Sequence, residues 1–161
     1  MRRPWDDYGL APIPLPLPSP IGGTERFMED LALACRHLGS TRLRCSLFAV
    51  RPAGIGMRVA LARLTARFER LGPVGVLGGD HIGFLLLDRG HSSERDDNVF
   101  AELVEHQAMD ALAPGTARRF VALHYWADEI SDAEDLVWRL EDRAFRRPLT
   151  LIERATASAR R

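Results

Sequence analysis

Hydrophobic residues recur at helical spacing in four segments of the chain. Apolar side chains every three or four residues, with charged residues between them, indicate amphipathic helices that each bury one face. The four segments are 27–38, 57–71, 99–112 and 136–144. Gly39 ends the first of them, and Ser131 followed by Glu134 forms a capping box that predicts where the last one begins.

Four shorter apolar segments lie around these helices and predict β-strands. They cover residues 43–50, 74–77, 82–88 and 119–126. The second and third strands are separated only by Gly78, Gly79, Asp80 and His81, a glycine-rich spacing that is typical of a β-hairpin. The first and third strands are apolar on both faces, which indicates that helices cover both faces of the sheet.

The order of these elements predicts the fold class. After the first helix the chain runs strand, helix, strand, strand, helix, strand, and then enters the last helix. This order is typical of an α+β fold with a ferredoxin-like βαββαβ core, in which an antiparallel four-stranded sheet carries two helices on one face. We expect the helices at the N- and C-terminal ends to cover the other face.

The chain divides into three segments. Residues 1–22 are a proline-rich arm, in which APIPLPLPSP (11–20) predicts an extended polyproline tether or strap. Residues 23–148 are the folded domain, and 149–161 are a tail that we expect to fray. The prolines exclude the helical core of a signal peptide, and no apolar run approaches the roughly 20 residues that span a bilayer. We therefore expect a cytoplasmic protein without membrane insertion.

Composition narrows the classes of function. The 22 basic residues balance 22 acidic ones, whereas a nucleic-acid binder needs a basic excess or stripe, so we expect no nucleic-acid partner. Every basic residue is arginine, which excludes lysine-dependent chemistry such as Schiff bases. Cys35 and Cys45 are too few for a disulfide framework or a thiolate zinc site, and we expect them to be small buried hydrophobes in a reducing compartment.

The hairpin turn resembles the GGDEF signature of the bacterial diguanylate cyclases. Gly78-Gly79-Asp80-His81 is followed by an apolar strand with a small residue, Gly83, as in that family. The segment Pro20–Leu31 is similar to the family's entry into its first helix, and Leu136–Phe145 is similar to its last helix. The resemblance covers roughly residues 20–147, and it implies a nucleotide-cyclase palm that in active members converts GTP to cyclic di-GMP with Mg²⁺.

Departures from the family pattern imply that this activity is lost. In active members the first strand ends in an aspartate that holds divalent metal together with the third signature position, but here Arg51 follows that strand. Aligning a phosphoryl transfer on Mg²⁺ requires both carboxylates, and Asp80 is the only surviving candidate ligand. His81 replaces the glutamate of the fourth position, and the family's base- and phosphate-binding segment after the first strand is missing.

We therefore expect a catalytically inactive GGDEF-like domain that signals or scaffolds through a protein partner or a homodimer. It would have no catalytic residues, no bound metal and no cofactor. In an alternative hypothesis Gly78, Gly79, Asp80 and His81 still bind a guanine nucleotide, with Mg²⁺ and GTP supporting residual diguanylate cyclase activity. In a third, the domain is an unrelated ferredoxin-like protein, and the turn is a structural one in which Asp80 bonds its own backbone.

Two other groups of residues carry weaker signals. His124 and Trp126 share one face of the last strand, with Tyr125 on the other, and we expect them to pack under a helix rather than stack bases. In the last helix, arginines such as Arg139 alternate with acids such as Glu141. This pattern predicts a solvated, salt-bridged face, or alternatively a docking surface for an acidic partner.

Overall fold

The hydrophobic segments form four helices and an antiparallel sheet. The computed structural model describes residues 10–11, 24–78, 80–88, 94–113 and 117–145. In chain order its elements are β1 (Leu10–Ala11), α1 (Thr24–Leu38), β2 (Arg44–Pro52), α2 (Met57–Phe68), β3 (Val74–Leu77), β4 (His81–Asp88), α3 (Glu94–Leu112), β5 (Ala117–Trp126), a 3₁₀ turn (Ala127–Glu129) and α4 (Ala133–Phe145).

The sheet is open, and each of its pairings is antiparallel. Its four longer strands lie in the order β3-β4-β2-β5, and the short β1 pairs with the far end of β4. The predicted hairpin is confirmed, because β3 pairs with β4 and Leu77 lies opposite His81 across the turn. The predicted α+β class is likewise confirmed.

Helices cover both faces of the sheet. Alternate residues of β2 point to opposite sides, so that Phe48 and Val50 pack with α2 and α3 while Leu47 and Ala49 pack with α1 and α4. The expectation that the first and last helices cover the second face is confirmed. Cys45 is fully buried on that face, as expected, whereas Cys35 on α1 is only partly buried.

Two glycines bring α1 close to the β3–β4 hairpin. Gly75 and Gly83 are direct register partners, and the side chain of Phe27 lies over both. A Cβ atom on Gly75 would lie 2.5 Å from Cβ of Phe27, and one on Gly83 would lie 2.7 Å from Cε1 of its ring. Glycine interrupts both strands here because a larger residue would collide with the ring. This contact fixes the hairpin, and hence its turn, against the helical layer.

Several element boundaries differ from the predicted ones. Strand β2 continues through Arg51 to Pro52, where its register with β5 shifts. The capping box at Ser131 was wrong, because α4 begins at Ala133 and the backbone N–H of Asp135 donates to Oδ1 of Asp132 at 2.8 Å. Serine and aspartate cap helices about equally well, so sequence alone does not choose between adjacent capping residues.

Some predictions concern residues outside the described ranges. These are the N-terminal arm other than Leu10–Ala11, the tail 149–161, and Gly79 of the signature turn. The segment boundaries given for the arm and the tail therefore stay predictions. Within the described ranges, no helix combines the length and the apolar character that crossing a membrane requires.

Candidate functional site

The signature turn lies beside the end of β2, and an ion pair joins the two. Val50 pairs with Ile82 in the β2–β4 register, which brings the next residue of β2, Arg51, alongside the turn. Nε of Arg51 lies 2.7 Å from Oδ2 of Asp80. Both side chains are about half exposed, at 48% and 53%, so this pair contributes less than about 1 kcal/mol to stability. The ion pair matters more for metal binding than for stability, because Asp80, the candidate metal ligand, is already bound to a cation.

A second arginine lies next to the first. Arg51 and Arg119 are direct register partners on β2 and β5, and the alternation of both strands directs their side chains to the α1 and α4 side of the sheet. Like charges directly opposite each other in a sheet repel, so acidic groups are needed nearby. Asp80 supplies one of these charges.

His81, the fourth residue of the signature turn, is buried and held in its neutral form. Its side chain is only 3% exposed, and Nδ1 lies 3.4 Å from Oδ1 of Asp80. Burial lowers the pKa of His81, and the charges of Arg51 and Arg119 lower it further, against the opposing effect of Asp80 and the smaller one of Glu141. A neutral imidazole cannot replace the negative charge of the glutamate that the GGDEF pattern has at this position.

Helix α4 adds a carboxylate that the sequence did not reveal. Oε1 of Glu141 lies 3.3 Å from the place a Cβ atom would occupy on Gly78. The two residues are far apart in the chain, and no motif spacing links them. Among the described residues, no three His, Cys, Asp or Glu side chains are grouped as metal ligands. The described part of the site thus combines two arginines, two carboxylates and a neutral histidine.

A second polar cluster lies at the opposite end of the sheet. Both Nε and Nη2 of Arg44 bond to the carboxylate of Asp97, and these side chains are 15% and 9% exposed. Oγ of Ser46 lies 2.6 Å from Nδ1 of His124, and the same ring nitrogen lies 3.8 Å from Oδ1 of Asp97. Because Ser46 is fully buried and both contacts involve one nitrogen, these residues do not form a nucleophilic triad.

Two aromatic residues of β5, His124 and Trp126, contact the charged residues of this cluster. His124 packs edge-on against Phe48 of β2, with ring centroids 6.0 Å apart, and its ring centroid lies 6.3 Å from that of Phe100 on α3. The contact with α3 confirms the expected packing of His124 under a helix. The guanidinium carbons of Arg42 and Arg44 lie 4.9 Å and 5.0 Å from the ring centroid of Trp126, so both arginines make cation–π contacts with this ring. Tyr125 is buried on the other face, as its position in the strand predicted.

Compared with protein-family models, curated proteins and solved structures, the chain matches none of them. The GGDEF resemblance therefore rests on the residues of the turn and the flanking helices themselves.

Proposed function

We propose that this chain is a catalytically inactive GGDEF-like domain that signals or scaffolds through protein contacts. The observation that carries the proposal is the ion pair between Arg51 and Asp80. Holding Mg²⁺ for phosphoryl transfer takes at least two oxygen ligands of negative charge around the ion. At this turn a guanidinium occupies one oxygen of Asp80 and repels any approaching divalent cation. Asp80 is neutralised without a metal.

The arrangement of the sheet supports the fold that the proposal requires. The order β3-β4-β2-β5, with every pairing antiparallel, is the order expected of a ferredoxin-like βαββαβ core. Helices α2 and α3, which follow β2 and β4, pack on the same face, as that core also requires. In such a palm the glycine-rich turn joins the edge strand to its neighbour, and the turn between β3 and β4 has this position.

One observation favours binding of a guanine nucleotide as a second candidate function. Arg51 and Arg119 lie side by side next to a glycine-rich turn, and paired guanidinium groups are well suited to hold phosphate oxygens. In this hypothesis Asp80 competes with the phosphate for Arg51, since the two anions need the same donor. The arginines, rather than a metal, would then hold the nucleotide.

Calorimetry with the purified chain separates these functions. GTP and cyclic di-GMP are titrated with and without Mg²⁺ into the wild type, into Asp80→Ala and into Asp128→Ala. Asp128 is a matched control because it is also a partly exposed carboxylate paired with an arginine, Arg42, at 2.9 Å. We expect no binding in the micromolar range and no cyclic di-GMP on incubation with GTP and Mg²⁺.

If a nucleotide does bind, the change in its affinity caused by Asp80→Ala shows whether a metal or Arg51 holds it. If nucleotide binding needs Mg²⁺ and is lost in Asp80→Ala, the turn is a working metal site and the proposal is wrong. If binding occurs without Mg²⁺ and becomes tighter in Asp80→Ala, the released Arg51 holds phosphate, and the second candidate replaces the scaffold.

A further inference from the structure

Helix α2 presents a basic surface to the solvent. Its charged residues are all arginines, namely Arg58, Arg63 and Arg67. Arg67 pairs with Asp110 of α3 at 2.9 Å, but in the described part of the chain no carboxylate lies within ion-pair distance of Arg58 or Arg63. Arg63 instead donates to the backbone carbonyl of Leu112 at 3.3 Å. A carbonyl oxygen carries no full charge, so this bond does not neutralise the guanidinium.

Most other arginines on the described surface have an acidic partner. Four of them, in α1, the loop before β2, β2 itself and α4, each pair with a carboxylate: Arg26, Arg42, Arg51 and Arg139. Arg36, in the last turn of α1, is exposed and has no such pair with another described residue. Arg58 and Arg63, by contrast, lie only about one and a half turns apart on the same helix. Positive charge that the fold does not neutralise is thus concentrated on α2.

An apolar stripe runs between these arginines. Val59, Ala62 and Ala66 follow one another at helical spacing, and all three are exposed, Val59 at 47%. At about 100° per residue, Arg58 borders the stripe on one side and Arg63 on the other. We call this surface the basic face. Because alanine side chains are short, a second helix can approach the axis of α2 closely here.

We propose that the basic face binds an acidic amphipathic helix of a partner protein. Apolar side chains of that helix would lie over Val59 and the alanines, and its carboxylates would meet Arg58 and Arg63 on the two borders. The inference rests on the proposed function, because it names the kind of partner through which an inactive domain would signal or scaffold. It involves none of the residues of the signature turn.

The combination of charge and apolar stripe favours a protein helix over other anionic partners. A nucleic acid would place its phosphates on the arginines but would leave the apolar stripe without contacts. A helix that lies on an anionic bilayer inserts large apolar side chains, whereas those of α2, among them Leu61, Leu64 and Phe68, are buried in the core. A helix that carries both acids and apolar side chains complements both parts of the basic face.

Fluorescence anisotropy with a labelled peptide and the full chain tests the inference. The probe is a peptide of about 20 residues, long enough to form a helix in water, in which leucine and alanine make one stripe bordered by glutamates. A scrambled peptide has the same composition and net charge but no stripe. We expect the amphipathic peptide to bind at least about tenfold more tightly, because it alone presents apolar and acidic side chains in the matching arrangement.

Substitutions on the protein locate the binding surface. Arg58→Glu and Val59→Glu should each weaken binding of the amphipathic peptide about tenfold, because a glutamate on the basic face repels the acids of the peptide. Arg36→Glu is the matched control, since it reverses the charge of another exposed arginine, on the helix that packs on the opposite face of the sheet. It should change the affinity by less than about twofold. All three variants should keep the circular dichroism spectrum of the wild type.

Two results with the peptides would overturn the inference. One is a scrambled peptide that binds as tightly as the amphipathic one, because net charge alone would then explain the attraction. The other is a loss of affinity in Arg58→Glu and Val59→Glu no larger than that in Arg36→Glu, because the peptide would then bind elsewhere.

Two further results would assign the basic face to a different occupant. A short DNA duplex, or vesicles of phosphatidylcholine and phosphatidylglycerol, could bind more tightly than the peptide and lose affinity in Arg58→Glu. Sedimentation velocity could show self-association of the chain that Val59→Glu abolishes, which would make a second copy the occupant. Either result would overturn the inference. None of these measurements bears on nucleotide binding, and cyclic di-GMP synthesis would overturn the proposed function without affecting this contact.

Discussion

Replacing Arg51 with aspartate should create a divalent-metal site at the signature turn. In the wild type Nε of Arg51 lies 2.7 Å from Oδ2 of Asp80. An aspartate oxygen at position 51 would end about one bond short of that nitrogen, so the two carboxylates would lie about 4 Å apart. That separation is close to twice the Mg–O distance of about 2.1 Å, so one ion could bridge them.

The size of the effect follows from the charges. Without metal, Arg51→Asp loses an exposed ion pair and gains a repulsion, each worth about 1 kcal/mol or less in water. With metal, an ion that binds only the folded state stabilises it by RT ln(1 + [L]/Kd), where [L] is the free ion concentration. A dissociation constant on the order of 1 mM, as in weak carboxylate sites, gives about 1.4 kcal/mol at about 10 mM ion. For a chain of this size that corresponds to about 3–6 °C in Tm.

Thermal unfolding followed by circular dichroism, with and without Mg²⁺ or Ca²⁺, measures this shift. Arg51→Ala is the matched control, since it also removes the guanidinium but supplies no carboxylate, and neither it nor the wild type should respond to metal. A Tm of Arg51→Asp that moves with metal no more than that of Arg51→Ala would refute the reasoning. The guanidinium would then not be what keeps metal from the turn.

Three further predictions concern the packing and electrostatics around the sites, and urea unfolding measures each of them. Gly83→Ala should destabilise the fold by about 1–3 kcal/mol through its collision with Phe27, and Phe27→Leu in the same chain should recover part of that loss. Because the pKa of His81 is lowered in the folded state, the unfolded chain takes up a proton first as pH falls through about 6.5. Stability should therefore fall with decreasing pH by up to about 1.4 kcal/mol per unit from this group, and His81→Asn should remove that part of the slope. Asp97→Ala should cost about 3 kcal/mol because it leaves a largely buried guanidinium unpaired, whereas Asp128→Ala, at an exposed pair, should cost less than about 1 kcal/mol; equal losses would contradict the burial argument.

The sequence was sufficient for the elements whose signal is local. The hairpin follows from two apolar runs around a glycine-rich turn, and the helices follow from a spacing that a few turns of chain make visible. The layer arrangement was also accessible, because β2 and β4 are apolar on both faces and only the terminal helices remained to cover the second one. That inference needs no knowledge of particular contacts.

The polar contacts were not accessible from the sequence. Glu141 meets the turn only because α4 crosses the sheet near Gly78, and this crossing is set by the packing of the whole second face. Ser46 and His124 are register partners on neighbouring strands. The two residues are 78 positions apart in the sequence, and this separation matches no known motif. When each residue of a cluster comes from a different helix or strand, the sequence contains no regular spacing that would predict the cluster.

The ion pair between Arg51 and Asp80 affects metal binding more than it affects the stability of the fold. An exposed ion pair contributes less than about 1 kcal/mol, so the fold gains little from the arginine at this position. The same charge is decisive for metal, because a divalent cation at Asp80 would have to displace a guanidinium and then lacks a second carboxylate from β2. We therefore expect no metal-dependent phosphoryl transfer at this turn. A role through protein contacts would then depend on the helical surfaces, where Trp138, at 66%, is the most exposed large hydrophobic residue in the described part of the chain.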